Sequence, residues 1–194
     1  MQTAWPPTQL PKPQTCAAIE RILADPAVQA DKVVLEVSET ALAAHVDGGI
    51  ESLTALKALG VRIAIDDFGV GFSSLSTLAS LPLDILKIDR SFVSGQASDS
   101  RCVPMLEGIL GLADKLSLTV IAEGIEWPEQ LDLLRGLGCT MGQGYLLARP
   151  ASAEAIESLL AAGGLLQVTD RSDDGRPVGT SSVGYSAEWN RPKE

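Results

Sequence analysis

Between residues 31 and 147 the chain alternates short runs of β-branched or aliphatic side chains with longer stretches whose apolar positions recur at helical spacing. That alternation marks successive βα units laid on a parallel sheet. Five strands are predicted, at 33–37, 61–65, 83–88, 118–122 and 144–147. Each is close to continuously apolar, as a strand covered by helices on both faces must be. The helices between them have legible ends. Ile50, Leu53, Leu56 and Leu59 form one apolar stripe that stops at Gly60, a left-handed cap. Ser73 or Ser74 caps a short helix that ends before Pro82. Pro104 and Pro128 suit the first turns of two more helices, the second closed by Gly136 and Gly138. A last helix follows Ser152 and ends at Gly163-Gly164, and an earlier one spans 17–23.

Outside this region the periodicity fails. Residues 1–15 read as a proline-rich leader, 16–167 as the folded α/β domain, and 168–194, rich in Asp, Ser, Gly and Pro, as a disordered tail.

Composition narrows the function classes. The chain has 194 residues, room for one domain, and is 45% hydrophobic against 21% charged, enough for a sizeable core. Its formal net charge of −10 offers no basic footprint for duplex nucleic acid or an anionic membrane. No apolar run is long enough to cross a bilayer, and the first residues form neither a signal nor a transit peptide. Cys16, Cys102 and Cys139 are odd in number, with no CxxC or Cys/His spacing. A reducing, cytoplasmic compartment is expected.

The chemistry lies at the strand ends. Glu36, Asp66, Lys87, Glu123 and Gln143 each end or follow a predicted strand, at intervals of 30, 21, 36 and 20 residues, about one βα repeat each. In a parallel barrel all carboxyl ends of the strands meet at one rim, so these residues converge. Crowded carboxylates raise one another's pKa unless a cation neutralises them. Oxygen donors without His or Cys favour Mg²⁺ or Mn²⁺, and the adjacent Asp66 and Asp67 can bridge two ions. Taken singly, an Asp-Asp-Phe-Gly turn is a solvated loop and a strand-end lysine a surface charge. Glu39 and Glu126, three residues past proposed ligands, read equally as helix N-terminal carboxylates or loop anchors. His45, the sole histidine, has no nucleophile motif beside it and reads as a helix decoration.

As an ordered set, Leu35 to Thr40, Ile65 to Leu78, Leu86 to Asp89, Ala122 to Glu126 and Gln143 to Pro150 resemble the EAL domain family, the metal-dependent cyclic di-GMP phosphodiesterases of bacteria. The resemblance implies an α/β fold built as an incomplete TIM-type (β/α)₈ barrel of about five parallel strands. It implies Glu36, Asp66, Asp67 and Glu123 as ligands of Mg²⁺ or Mn²⁺, with Asp66 shared by both ions. Lys87 would contact the attacking water, Gln143 would order that water or the phosphate, and Glu39 would hold the loop from Asp67 to Ser74. Pro150, after Arg149, would lie near the guanine pocket.

Two departures qualify this. The Glu-Ala-Leu tripeptide of the family is absent, and Ala4 stands before Gln9-Leu10 where the family places a ligand Asn. The first metal would keep only Glu36 and Asp66, while the second would keep Asp66, Asp67 and Glu123. A complete barrel takes about 250 residues, so this chain reads as a C-terminal part of an EAL domain with an open sheet edge beside strand 33–37. The leader, another subunit or a missing partner chain would cover it. The implied activity is hydrolysis of cyclic di-GMP to pGpG, impaired by truncation. The alternatives are an inactive EAL module that binds nucleotide or a protein partner, or a remnant that cannot fold alone. A homodimer or a regulatory domain is the expected protein partner.

Overall fold

The computed structural model describes residues 2–5, 13–43, 46–71, 75–94, 101–161, 168–171 and 177–181. Six strands form one parallel sheet in simple chain order: β1 (Gln2–Trp5), β2 (Val34–Ser38), β3 (Arg62–Phe68), β4 (Ile85–Ile88), β5 (Thr119–Ala122) and β6 (Met141–Gly142). Strictly sequential parallel pairing places every strand's carboxyl end on the same side, as the βα repeat predicts. The connecting helices are α1 (Pro13–Leu23), α2 (Glu39–Ala43), α3 (Val46–Ala58), α4 (Leu75–Ser80), α5 (Arg90–Ser94), α6 (Cys102–Lys115), α7 (Pro128–Gly136) and α8 (Ala153–Ala161).

The core is aliphatic, as the sparse aromatics require. Val37, Leu53, Ile63, Ile65, Leu86, Ile88, Leu106, Ala122 and Leu134 pack into one cluster, and Ile19, Leu35, Leu56 and Val61 into a second. All four residues of β4 are buried, so helices and neighbouring strands cover both its faces. Lys57 closes the amino end of the sheet by pairing with Asp84 at 2.8 Å, whose other oxygen accepts the Ile63 N–H at 2.9 Å.

Two sequence expectations are corrected and one is met. Of the covers expected for the edge beside strand 33–37, the structure shows the leader: residues 2–5 pair in register with β2, Ala4 opposite Glu36. The backbone groups along the β2 edge need partners, and this short segment supplies them. Residues 144–147 are not a strand: β6 ends at Gly142, and the chain turns, with the Leu147 and Ala148 N–H groups both donating to Gly144 O. Within the stretch read as a tail, β7 (Val168–Arg171) and β8 (Pro177–Ser181) pair antiparallel. His45, Ser73 and Ser74 lie outside the described residues.

Candidate active site

A bulge at the end of β3 builds the centre of the site. Ile65 pairs with Leu86 and Phe68 with Ile88, so Asp66 and Asp67 together oppose the single Lys87. Side chains normally alternate across a strand. The extra residue, with Asp67 at φ 54°, breaks that alternation and brings consecutive carboxylates to one rim. Carboxylate oxygens of Asp66, Asp67 and Glu123 lie within 4.8 Å of one another.

Lys87 stands in the middle. Its Nζ lies 2.8 Å from Asp66 Oδ1, 2.7 Å from Glu123 Oε1 and 2.9 Å from Glu36 Oε1, with the lysine side chain only 4% exposed. Three successive strands and the end of a fourth therefore meet at one ammonium. Burial works to lower the Lys87 pKa, but hydrogen bonds to Asp66, Glu123 and Glu36 outweigh it and hold the group above the ordinary lysine range. Lys87 is a cation throughout the physiological range.

One ammonium offsets only one of the four carboxylates. Glu123 is pushed up by burial, drawn down by Lys87, and pushed up again by Asp66 and Glu36, with a net rise. Asp67 is raised by burial and by the charges of Asp66 and Asp89, against Lys87. Glu36 Oε1, fully buried, faces the Lys87 ammonium at 2.9 Å. Surplus negative charge and an all-oxygen donor set, gathered within 4.8 Å at Asp66, Asp67 and Glu123, fit a divalent cation of the Mg²⁺ or Mn²⁺ kind.

Glu39 does not join this group. At the start of α2 and 3% exposed, it accepts the N–H groups of Gly69 and Gly71, both at 3.0 Å, through one oxygen. It thereby holds the turn that follows Asp66 and Asp67. A Cβ on Gly71 would stand 2.8 Å from Glu39 Cδ, and one on Gly69, at φ 98°, would stand 2.5 Å from the Phe92 ring. Neither position has room for a side chain.

Gln143 follows β6 beside Glu123's strand: its N–H donates to Ala122 O at 2.8 Å, and its carbonyl accepts the Ile125 N–H at 3.1 Å. With Gly144, Tyr145, Ala148, Arg149 and Pro150 it lines a recess of about 310 Å³, over which the Arg149 guanidinium stacks on the Tyr145 ring at 4.6 Å. Asp89 is turned to a different task, accepting the Ser91 N–H at 2.9 Å as the cap of α5. Sequence reasoning missed Gln130, a buried amide on α7 that binds the loop after Glu123. Its signal was present: a glutamine two residues past Pro128, where a side chain can reach back to the helix start.

Comparison with known proteins places these features in a family. The chain is 47% identical over 128 residues to the cyclic di-GMP phosphodiesterase NbdA of Pseudomonas aeruginosa, covering 66% of this chain and 16% of that protein. Its fold matches the PaMucR phosphodiesterase in complex with c-di-GMP, with TM-score 0.76 and 35% identity over 80% of this chain and 63% of that one. It also matches Klebsiella pneumoniae BlrP1 in a manganese and cyclic-diGMP complex, with TM-score 0.72 and 30% identity over 77% of this chain and 38% of that one. The chain thus spans about a fifth of the curated relatives it matches. Residues 5–150 match the EAL domain model, and with the strand-end carboxylates gathered about Lys87 this chain belongs to the EAL domain family.

Proposed function

We propose that the rim around Lys87 is a metal-dependent phosphodiesterase centre that hydrolyses cyclic di-GMP to pGpG. The observation that carries this reading is Lys87 within 2.9 Å of Glu36, Asp66 and Glu123, on three different strands and their ends. Asp66, Asp67 and Glu123 would hold one Mg²⁺ or Mn²⁺, and Glu36 with Asp66 a second. When bound, such cations supply an acidified water and neutralise phosphate charge.

The protein's own groups do the rest. Lys87, always protonated, directs its three N–H donors to Glu36, Asp66 and Glu123. Once those carboxylates ligate cations, a donor would be free for the attacking water, which Lys87 would hold with its lone pairs aimed at phosphorus. The water oxygen forms the new P–O bond, one ester P–O bond breaks, and a proton passes to the departing sugar oxygen. Gln143 lies at the mouth of the Tyr145, Arg149 and Pro150 recess, where it would orient the phosphate or its water. The planar face of Arg149 on Tyr145 suits a guanine base. Glu39 keeps the Asp66-Asp67 turn in its working shape.

Activity is reduced in this reading. The first metal keeps two protein ligands, and Ala4, opposite Glu36 on β1, has no donor oxygen in its side chain. The free thiols of Cys16, Cys102 and Cys139 suit a reducing cytoplasmic setting, and no described helix is long and apolar enough to cross a membrane. The test is product formation: folded protein with cyclic di-GMP and Mn²⁺, pGpG followed by chromatography, Asp66→Ala as control. Turnover lost in the variant supports the reading. Saturable nucleotide binding without product would replace it with a binding module, and neither would remove cyclic di-GMP from the account.

A further inference from the structure

Gln130, 8% exposed, is with Glu39 one of two buried polar side chains among the described residues that lie outside the group around Lys87. Its three hydrogen bonds fix the amide orientation. Oε1 accepts the Glu126 N–H at 2.8 Å and the Trp127 N–H at 3.0 Å, and Nε2 donates to Val93 O at 3.3 Å. Residues 123–127 are the loop that carries Glu123 off β5, and Val93 belongs to α5. The same helix supports both halves of the site. Gly124, at φ 72°, lies directly against Arg90 of α5, and Gly69, beyond Asp66 and Asp67, lies against the ring of Phe92. The Glu123 loop and the Asp66-Asp67 turn therefore lean on one short helix, and Gln130 is the polar joint between that helix and the first of them.

A glutamine here is costly unless every polar atom is bonded, and an apolar residue of equal size would pack as well. What the apolar residue would lose is the acceptor for two loop N–H groups. We propose that Gln130 is a positioning residue that sets Glu123 against Asp66 and Asp67 for cation binding. The proposal rests on the reading of these carboxylates as a divalent-metal site. Groups bonded directly to a metal ligand are typically worth about 10–100-fold in affinity, and Gln130, which acts through the backbone three and four residues beyond Glu123, belongs at the low end.

The test uses the full chain, with Mn²⁺ affinity by calorimetry and amide exchange as readouts. Gln130→Met removes all three bonds at similar volume; Gln130→Glu keeps the acceptor and loses the donor to Val93. Leu134→Ala, in the core face of the same helix but with no side-chain hydrogen bond to lose, serves as the stability control. Expected are Mn²⁺ binding about tenfold weaker in Gln130→Met, faster exchange at Glu126 and Trp127, and affinity within about twofold of wild type in Leu134→Ala. Gln130→Glu, which unhitches the loop from Val93, should also bind more weakly than wild type, and it decides the matter if Gln130→Met shows no cooperative unfolding. Unchanged affinity in Gln130→Met, or in Gln130→Glu where the first does not fold, overturns the proposal; so does an equal loss in Leu134→Ala. Failure of the wild type itself to bind Mn²⁺ overturns the metal-site reading, and the positioning role with it.

Discussion

Lys87 and Glu123, at the ends of neighbouring strands β4 and β5, meet at 2.7 Å. The pair is one spoke of a wheel, since the same ammonium holds Glu36 and Asp66. Removing one partner of a buried ion pair costs about 3–5 kcal/mol, because the charge left behind has lost both water and counter-ion. Lys87→Met should therefore destabilise the metal-free protein by about that amount in chemical denaturation and abolish turnover. Added Mn²⁺ should recover more stability in the variant than in wild type. An unchanged denaturation midpoint without metal would remove Lys87 from the centre of the electrostatic account.

Glu39 is expected to separate shape from charge. Glu39→Ala leaves the Gly69 and Gly71 N–H groups, which water can reach, without their carboxylate acceptor, at no more than about 1.5–3 kcal/mol for each charge-assisted bond. The loss falls on the turn behind Asp66 and Asp67, so turnover should drop by at least tenfold while α3, β2 and the core still melt cooperatively. Gly71→Ala, which drives a methyl group toward Glu39 Cδ, should reproduce the defect with the carboxylate present. Full activity in Gly71→Ala would show that the turn tolerates rearrangement.

The pH response follows from the raised carboxyls. A carboxyl whose folded pKa lies above its unfolded value of about 4 binds its proton sooner in the native state, so native stability rises as pH falls through that window. Without metal, Glu123→Gln should accordingly gain stability relative to wild type as the pH rises, because wild type alone carries the cost of ionising this carboxyl. That relative gain should fall away as the pH is lowered and Glu123 takes up its proton. Lys87 works at the other end: its pKa is raised, so its contribution is present below about pH 10 and is lost above that. Thermal melting of both proteins across pH 5–8 in chelator checks the first part, and a gap that widens on acidification would contradict it.

Metal linkage runs the opposite way. A ligand held only by the native state stabilises by about 2.7 kcal/mol at one hundred times its Kd. Mn²⁺ should raise the melting temperature at pH 8 and raise it progressively less toward pH 5, as protons compete for Asp67 and Glu123. Asp66→Asn should remove the increment, because Asp66 is the carboxylate proposed to serve both ions. A metal-induced shift of equal size in Asp66→Asn would place the cation elsewhere.

Much of this was legible in the linear pattern. The βα alternation predicts parallel strands at 33–37, 61–65, 83–88 and 118–122, and four strands of the sheet overlap them. Helical stripes such as Leu53 and Leu56 do face the core. The placement of Glu36, Asp66, Lys87 and Glu123 at strand ends predicts their convergence, because sequential parallel pairing gives the sheet only one carboxyl rim. Residues 144–147 misled because an apolar run followed by Ala and Arg has the same local pattern in a strand and in a turn.

What the sequence determines by itself is local: which segments hydrogen-bond as strands or helices, and which side chains carry charge at their ends. Tertiary structure alone decides that Asp66 and Asp67 share one rim, because the bulge arises from a mismatch in register with β4 and not from any propensity of Asp. It decides that Gln2–Trp5 becomes an edge strand, since only the finished β2 offers it partners. It decides too that Gln130, 37 residues from Val93 in sequence, joins α5 to the Glu123 loop. Contacts between distant segments are selected by packing and by the cost of an unpaired buried group, neither of which leaves a periodic trace in the chain.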